Sequence, residues 1–151
     1  MTVSRNLSFL LTAIVGLTPL AHANDAEYVD KPGSSVRHEM HACERGFMTG
    51  VNAGPNELLC KPFPGAGADE IVDSSSQSHS MHACPDGMAM TGWDSKRNLL
   101  LCRGLSGYTG RSVEQAGAER TIREKMHACP EGQVMVGYEE GRNELLCAFK
   151  Q

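Results

Sequence analysis

The chain has 151 residues, with 14 Lys and Arg against 18 Asp and Glu, six Cys, and few aromatics: one Trp, three Tyr and four Phe. That length holds one small domain and excludes two large ones. A net charge of −4 argues against a phosphate-binding surface, so nucleic acid is not an expected partner.

The first element in chain order is a leader. Arg5 gives a positive start, residues 7–20 carry no charge, and Ala21-His22-Ala23 ends in the small-x-small pattern of a secretory signal peptide spanning residues 1–23. This apolar run is shorter than the roughly 20 residues needed to cross a bilayer, and no membrane span is expected. Arg5 is the one charge before Asp25, so cleavage near Ala23 leaves a mature chain one unit more acidic. Residues 24–151 read as a single exported domain, secreted or periplasmic, where an oxidising environment favours disulfides over free thiols.

A lead-in at 24–39 is followed by one phrase written three times. Met40-His41-Ala42-Cys43, Met81-His82-Ala83-Cys84 and Met126-His127-Ala128-Cys129 open the copies. Each continues with a glycine (Gly46, Gly87, Gly132), a methionine (Met48, Met90, Met135) and a second glycine (Gly50, Gly92, Gly137). Ten residues later comes a second cysteine (Cys60, Cys102, Cys147), preceded by Asn56, Asn98 or Asn143 and a Leu-Leu pair. The repeats are 40–60, 81–102 and 126–151, joined by linkers at 61–80 and 103–125.

Within a repeat, a strand-like run, a polar turn and a second apolar run predict a β-hairpin. Residues 134–138, 139–143 and 144–149 show the pattern most clearly. The segment before each Met-His, such as Thr121-Ile122-Arg123-Glu124-Lys125, could add a third strand. The linkers are rich in Gly, Ser and Pro and read as surface connections, with one short helix expected at 113–120. The fold class is all-β: three tandem disulfide-stapled hairpins, closing around a pseudo-threefold axis in a trefoil-like or prism-like form, or standing in an open row.

Because each repeat brings two cysteines, the expected bonds are Cys43–Cys60, Cys84–Cys102 and Cys129–Cys147, each pinning the outer strands of its own hairpin. In the chain-entropy account each stabilises by roughly 3 kcal/mol, which compensates for a core short of aromatics. A thiolate metal site from the His-x-Cys pairs is the weaker reading, since no Cys-x-x-Cys occurs.

Three residue sets could bind a ligand. His41, His82 and His127 share one repeat position, and convergence near an axis would give three imidazoles suited to Cu or Zn. Met40, Met81 and Met126 could assist, although in an extended segment they project opposite to the histidines. The competing reading is that these histidines brace the hairpins by bonding a carbonyl or the repeated Asn. The third set serves a lectin-like alternative: Trp93 and Tyr138, which share a slot with Val51, could stack on sugar, with Arg97, Asn98, Arg142 and Asn143 bonding hydroxyls. Packing of Trp93 and Tyr138 between units is the structural counterpart. No nucleophile elbow, zinc helix or phosphate loop is present. The expectation is thus a non-catalytic binding protein whose partner is a metal ion or a glycan.

Overall fold

A computed structural model describes residues 26–117 and 122–151. The signal peptide expected at 1–23 lies outside the described residues. Each copy of the phrase contributes an outer strand, a short ribbon and a hairpin. In the first copy these are β1 (Tyr28–Asp30), the ribbon β2 (Val36–Arg37) and β3 (Met40–Ala42), and the hairpin β4 (Phe47–Asn52) and β5 (Glu57–Lys61). The second has β6 (Ala66–Val72), β7 (Gln77–Ser78) and β8 (Met81–Ala83), then β9 (Met88–Asp94) and β10 (Leu99–Gly104). The third has β11 (Tyr108–Gln115), β12 (Ile122–Arg123) and β13 (Met126–Ala128), then β14 (Val134–Glu139) and β15 (Glu144–Lys150).

Three antiparallel five-stranded sheets result, and no helix occurs among the described residues. The outer strand of each copy pairs with its own hairpin, whereas each ribbon pairs with a hairpin from another copy. The first sheet runs β1-β5-β4-β13-β12, the second β2-β3-β9-β10-β6, and the third β11-β15-β14-β8-β7. The ribbon of the first copy therefore completes the second sheet, that of the second completes the third, and that of the third returns to the first.

The conserved spacing within the phrase follows from this exchange. A register shift separates Met48 from Gly50 and Met135 from Gly137 along their hairpins, with the corresponding shift in the second copy between Leu101 and Cys102. Just past it the incoming ribbon crosses very close. A Cβ built on Gly50 would lie 2.7 Å from the Ala128 Cβ and 2.8 Å from the His127 carbonyl oxygen, and Gly92 and Gly137 meet Ala42 and Ala83 in the same way. The repeated Gly and the repeated Ala are two sides of one small-residue contact. At the hairpin turns Asn56, Asn98 and Asn143 have φ of 54°, 53° and 50°, the left-handed conformation that Asn tolerates better than most residues.

Three expectations are corrected. Residues 61–80 and 103–125 contain the outer strands β6 and β11 rather than only connections, while β7 and β12 are the strands expected before each Met-His. No helix forms in the described part of 113–120: residues 113–115 end β11, Val113 opposite Leu146 and Gln115 opposite Glu144, where pairing to β15 satisfies their backbone groups, and residues 116–117 are a turn; residues 118–120 lie outside the described set. The disulfides Cys43–Cys60, Cys84–Cys102 and Cys129–Cys147 do not pin two strands of one hairpin. Cys43 follows β3 in the second sheet and donates its N–H to the Thr91 carbonyl at 2.8 Å, while Cys60 sits in β5 of the first. Each bond is thus a tie between two sheets. All six cysteines lie in one buried cluster with Met48, Met90, Met135, Val51, Trp93 and Tyr138, where β4, β9 and β14 pack against one another.

Candidate functional site

The ribbon turns separate the histidines from the methionines. His38-Glu39, His79-Ser80 and Glu124-Lys125 all have positive φ, the signature of two-residue hairpin turns. The strand that follows alternates faces. Met40, Met81 and Met126 are buried at 1%, 0% and 2% exposure, in apolar clusters with the leucines of the neighbouring hairpin. His41, His82 and His127 face the other way, opposite Trp93, Tyr138 and Val51 respectively.

The three histidines stand on three different sheets, each with its own surroundings. His41 Nε2 lies 3.0 Å from Asp30 Oδ1, and the Asp30 carboxylate also accepts from Ser34 Oγ and from the Glu44 N–H. His82 Nδ1 lies 3.1 Å from Asn98 Oδ1. Burial pushes the His127 imidazole below its ordinary pKa, and the nearby Asn143 side chain and Glu114 charge only partly oppose it. Neither His127 ring nitrogen reaches a hydrogen bond of ordinary geometry. Among the described residues no group of three or more His, Cys, Asp or Glu is placed to hold a metal ion. No three-imidazole centre of the kind expected from the repeat is found among these residues.

The slot shared by Val51, Trp93 and Tyr138 falls where the units meet. Trp93 and Tyr138 are 5% and 8% exposed and pack edge to face, with ring centroids 5.0 Å apart. Two clefts open beside them, one on each side of the turn that follows Trp93. The larger, about 520 Å³, is lined by His82, Trp93, Asn98 and Tyr138 together with Gln77, Ser95, Glu139 and Glu140. The second, about 390 Å³, is lined by His41, Glu39, Asn56, Trp93, Ser95 and Lys96, among others. Each lies between the hairpin turns of two different copies.

In both clefts the histidine is left with one bare nitrogen. His82 Nδ1 faces Asn98 Oδ1 and His41 Nε2 faces Asp30 Oδ1. The other ring nitrogens, His82 Nε2 and His41 Nδ1, are buried and without a partner. A buried polar atom left unmet costs on the order of 1–3 kcal/mol. The rims are acidic. Burial raises the Tyr138 hydroxyl above its ordinary pKa, and Glu140 and Glu139 raise it further. Burial would raise the Asp94 carboxyl too, but hydrogen bonds from the Arg97 side chain and backbone hold it below the usual range.

Of the residues expected to contact sugar, Trp93, Tyr138 and Asn98 line one cleft together. Arg97 and Arg142 do not join them. Arg97 Nε donates to Asp94 Oδ2 at 2.6 Å and its Nη2 to the Glu39 carbonyl, and Arg142 Nε donates to Glu144 Oε2 at 2.7 Å. Asn143 Oδ1 lies 3.5 Å from the Tyr138 hydroxyl. Gln77, Ser95, Glu139 and Glu140 had no signal in the phrase, since their place in the cleft depends on the turn of a neighbouring copy. No helix among the described residues is long and apolar enough to cross a membrane. Comparison of the chain with protein-family models, curated proteins and solved structures finds no match.

Proposed function

We propose that this is an exported, non-catalytic binding protein whose three disulfide-stapled hairpin repeats close, prism-like, around a pseudo-threefold axis. Its ligand is a neutral sugar held in the cleft between the turns after Trp93 and Tyr138. The cyclic exchange of ribbons supports the closed arrangement over an open row, because the third ribbon returns to the first hairpin.

The observation that carries the ligand assignment is the larger cleft itself. It combines the apolar edges of Trp93 and Tyr138 with a row of hydroxyl-binding groups, Gln77, Ser95, Asn98 and Glu139. A few convergent polar groups around an aromatic floor is the usual composition of a small-molecule site. Sugars offer both an apolar C–H face and many hydroxyl donors. Copper or zinc on His41, His82 and His127 is the displaced reading, and elemental analysis of protein purified without chelator tests it directly.

Trp93 is the single Trp of the chain and lines both clefts, so its emission reports a ligand entering either, and substitutions at Gln77 and Glu139, which line only the larger, tell the two apart. A panel of neutral mono- and disaccharides is titrated into the mature protein. The expected result is a saturable emission change for at least one sugar, weakened about tenfold by Gln77→Ala with Glu139→Gln, substitutions at the rim that leave the core intact. No change across the panel, or a change insensitive to that double variant, overturns the assignment.

A further inference from the structure

A second site, sharing no residue with either turn cleft, follows from one position in the outer strands. Tyr28 pairs with Cys60, Glu70 with Cys102 and Ser112 with Cys147, so Glu27, Asp69 and Arg111, each one residue earlier, occupy the same place in the three sheets. In the first sheet Glu27 accepts from Thr49 Oγ1 and from Arg123 Nε and Nη2, both at 2.8 Å. In the second, Asp69 accepts from Thr91 Oγ1 at 2.9 Å, Arg37 Nε at 2.6 Å and Arg103 Nε at 2.9 Å.

The third sheet reverses this arrangement completely. Arg111 replaces the acid, while Val136 stands for the threonine, Ser78 for the ribbon arginine and Ala148 for Arg103. A guanidinium therefore sits where the fold elsewhere holds a carboxylate among cations. Its side chain is only 11% exposed. Nη2 reaches Asp86 Oδ1 at 3.0 Å, but the Asp86 side chain is fully in solvent, where such a pair is weak. Nη1 is buried with no hydrogen-bond partner. Arg111 lines an open cleft of about 220 Å³ with Tyr108, Thr109, Asp86 and Gly87, and Lys150 Nζ, 5.4 Å above the Tyr108 ring, adds a second positive charge beside it.

We propose that this cleft binds a carboxylate-bearing ligand through Arg111. The planar guanidinium presents two parallel donors to the two oxygens of a carboxylate. One oxygen takes Nη2 from Asp86 at the mouth, and a turn of the side chain toward the cleft brings the buried, unpaired Nη1 to the other. The ligand thus supplies the carboxylate that Glu27 and Asp69 supply internally in the other two sheets, and Asp86 acts as a weak competitor at the mouth.

The test records the arginine Nε–Hε resonances of the full disulfide-bonded protein during titration with sodium acetate or sodium sulfate, ionic strength being held with sodium chloride. Acetate is expected to move the Arg111 resonance saturably, and those of Arg97 and Arg142 far less. Asp86→Asn should tighten acetate binding several-fold, whereas Arg111→Gln should weaken it about tenfold or more. An Arg111 response no larger than that of Arg97 and Arg142 overturns the proposal. So does saturation by sulfate without acetate, or weaker binding in Asp86→Asn.

Discussion

The first two sheets and the third solve the same packing problem with opposite charges. Behind Gly50 and Gly92, a carboxylate on the outer strand gathers a threonine of the hairpin and an arginine of the incoming ribbon. The ribbon arginine also caps the carbonyl that follows its own strand, Arg37 at Cys43 and Arg123 at Cys129. The third sheet keeps the backbone pairing and loses every member of that network, Ser78, Arg111 and Val136 standing in its place. Sheet architecture therefore rests on backbone ladders and small-residue contacts shared by all three copies, and the polar buttress is an addition that one copy has exchanged for an unpaired guanidinium.

The largest expected effect strikes what the sheets share. Replacing Cys84 and Cys102 together by Ala should cost about 3 kcal/mol or more, because the bond ties two sheets; equilibrium denaturation of the oxidised variant measures it. Gly50→Val should cost about 1–3 kcal/mol from overpacking against Ala128, and Gly137→Val about as much against Ala83, since this contact does not distinguish the copies.

The buttress does distinguish them. Asp69→Ala strands Arg37 and Arg103 and should cost about 2–4 kcal/mol, given that the Asp69 side chain is only 4% exposed. Glu27→Ala should cost about 1 kcal/mol, its pair with Arg123 being more open to solvent. Arg111→Met should change stability by less than about 0.5 kcal/mol. Arg111→Asp combined with Ser78→Arg should raise the melting temperature by installing in the third sheet the pair the others have. A fall in Tm for that double variant would show that the reversal is not a simple exchange of partners.

The smallest effect is with pH, and it falls in two windows. Burial works to raise Glu27 and Asp69, but hydrogen bonds and charge from Arg123 in one case and from Arg103 and Arg37 in the other hold both carboxyls below their ordinary pKa. Their contribution is present above the unfolded carboxylate range and is lost as pH falls through the depressed folded values, below about 4. His127 runs through a higher window. With its folded pKa lowered by burial, the unfolded chain binds the proton more readily, so stability is full above about 6.5 and declines as pH drops below it. Denaturation midpoints between pH 8 and 3 should fall in these two steps, and His127→Asn should flatten the upper one.

Much of this molecule is legible in the phrase repeated three times. The all-β class, the turns at Asn56, Asn98 and Asn143, and the burial of Met48, Met90 and Met135 follow from local composition and alternation. The outer strands were not legible. β6 reads as Ala-Gly-Ala-Asp-Glu-Ile-Val and is largely exposed, because an edge strand is held by its ladder to one neighbour and needs little apolar alternation. The destination of each ribbon was equally hidden, since nothing in Met-His-Ala-Cys says which hairpin it will cross. A shared histidine position suggested convergence, whereas each imidazole has its own surroundings and no metal-holding group occurs among the described residues.

The amino-acid sequence by itself determined three copies, three cysteine pairs, the turns and the small residues that allow close crossing, because these depend on the chemistry of neighbouring residues. Only the tertiary structure decided that disulfides tie sheet to sheet, that Trp93 meets Tyr138 and flanks two clefts, and that Arg111 stands where Glu27 and Asp69 stand. Those facts depend on register between strands far apart in the chain, and register is fixed by backbone pairing and close packing across copies rather than by any one segment.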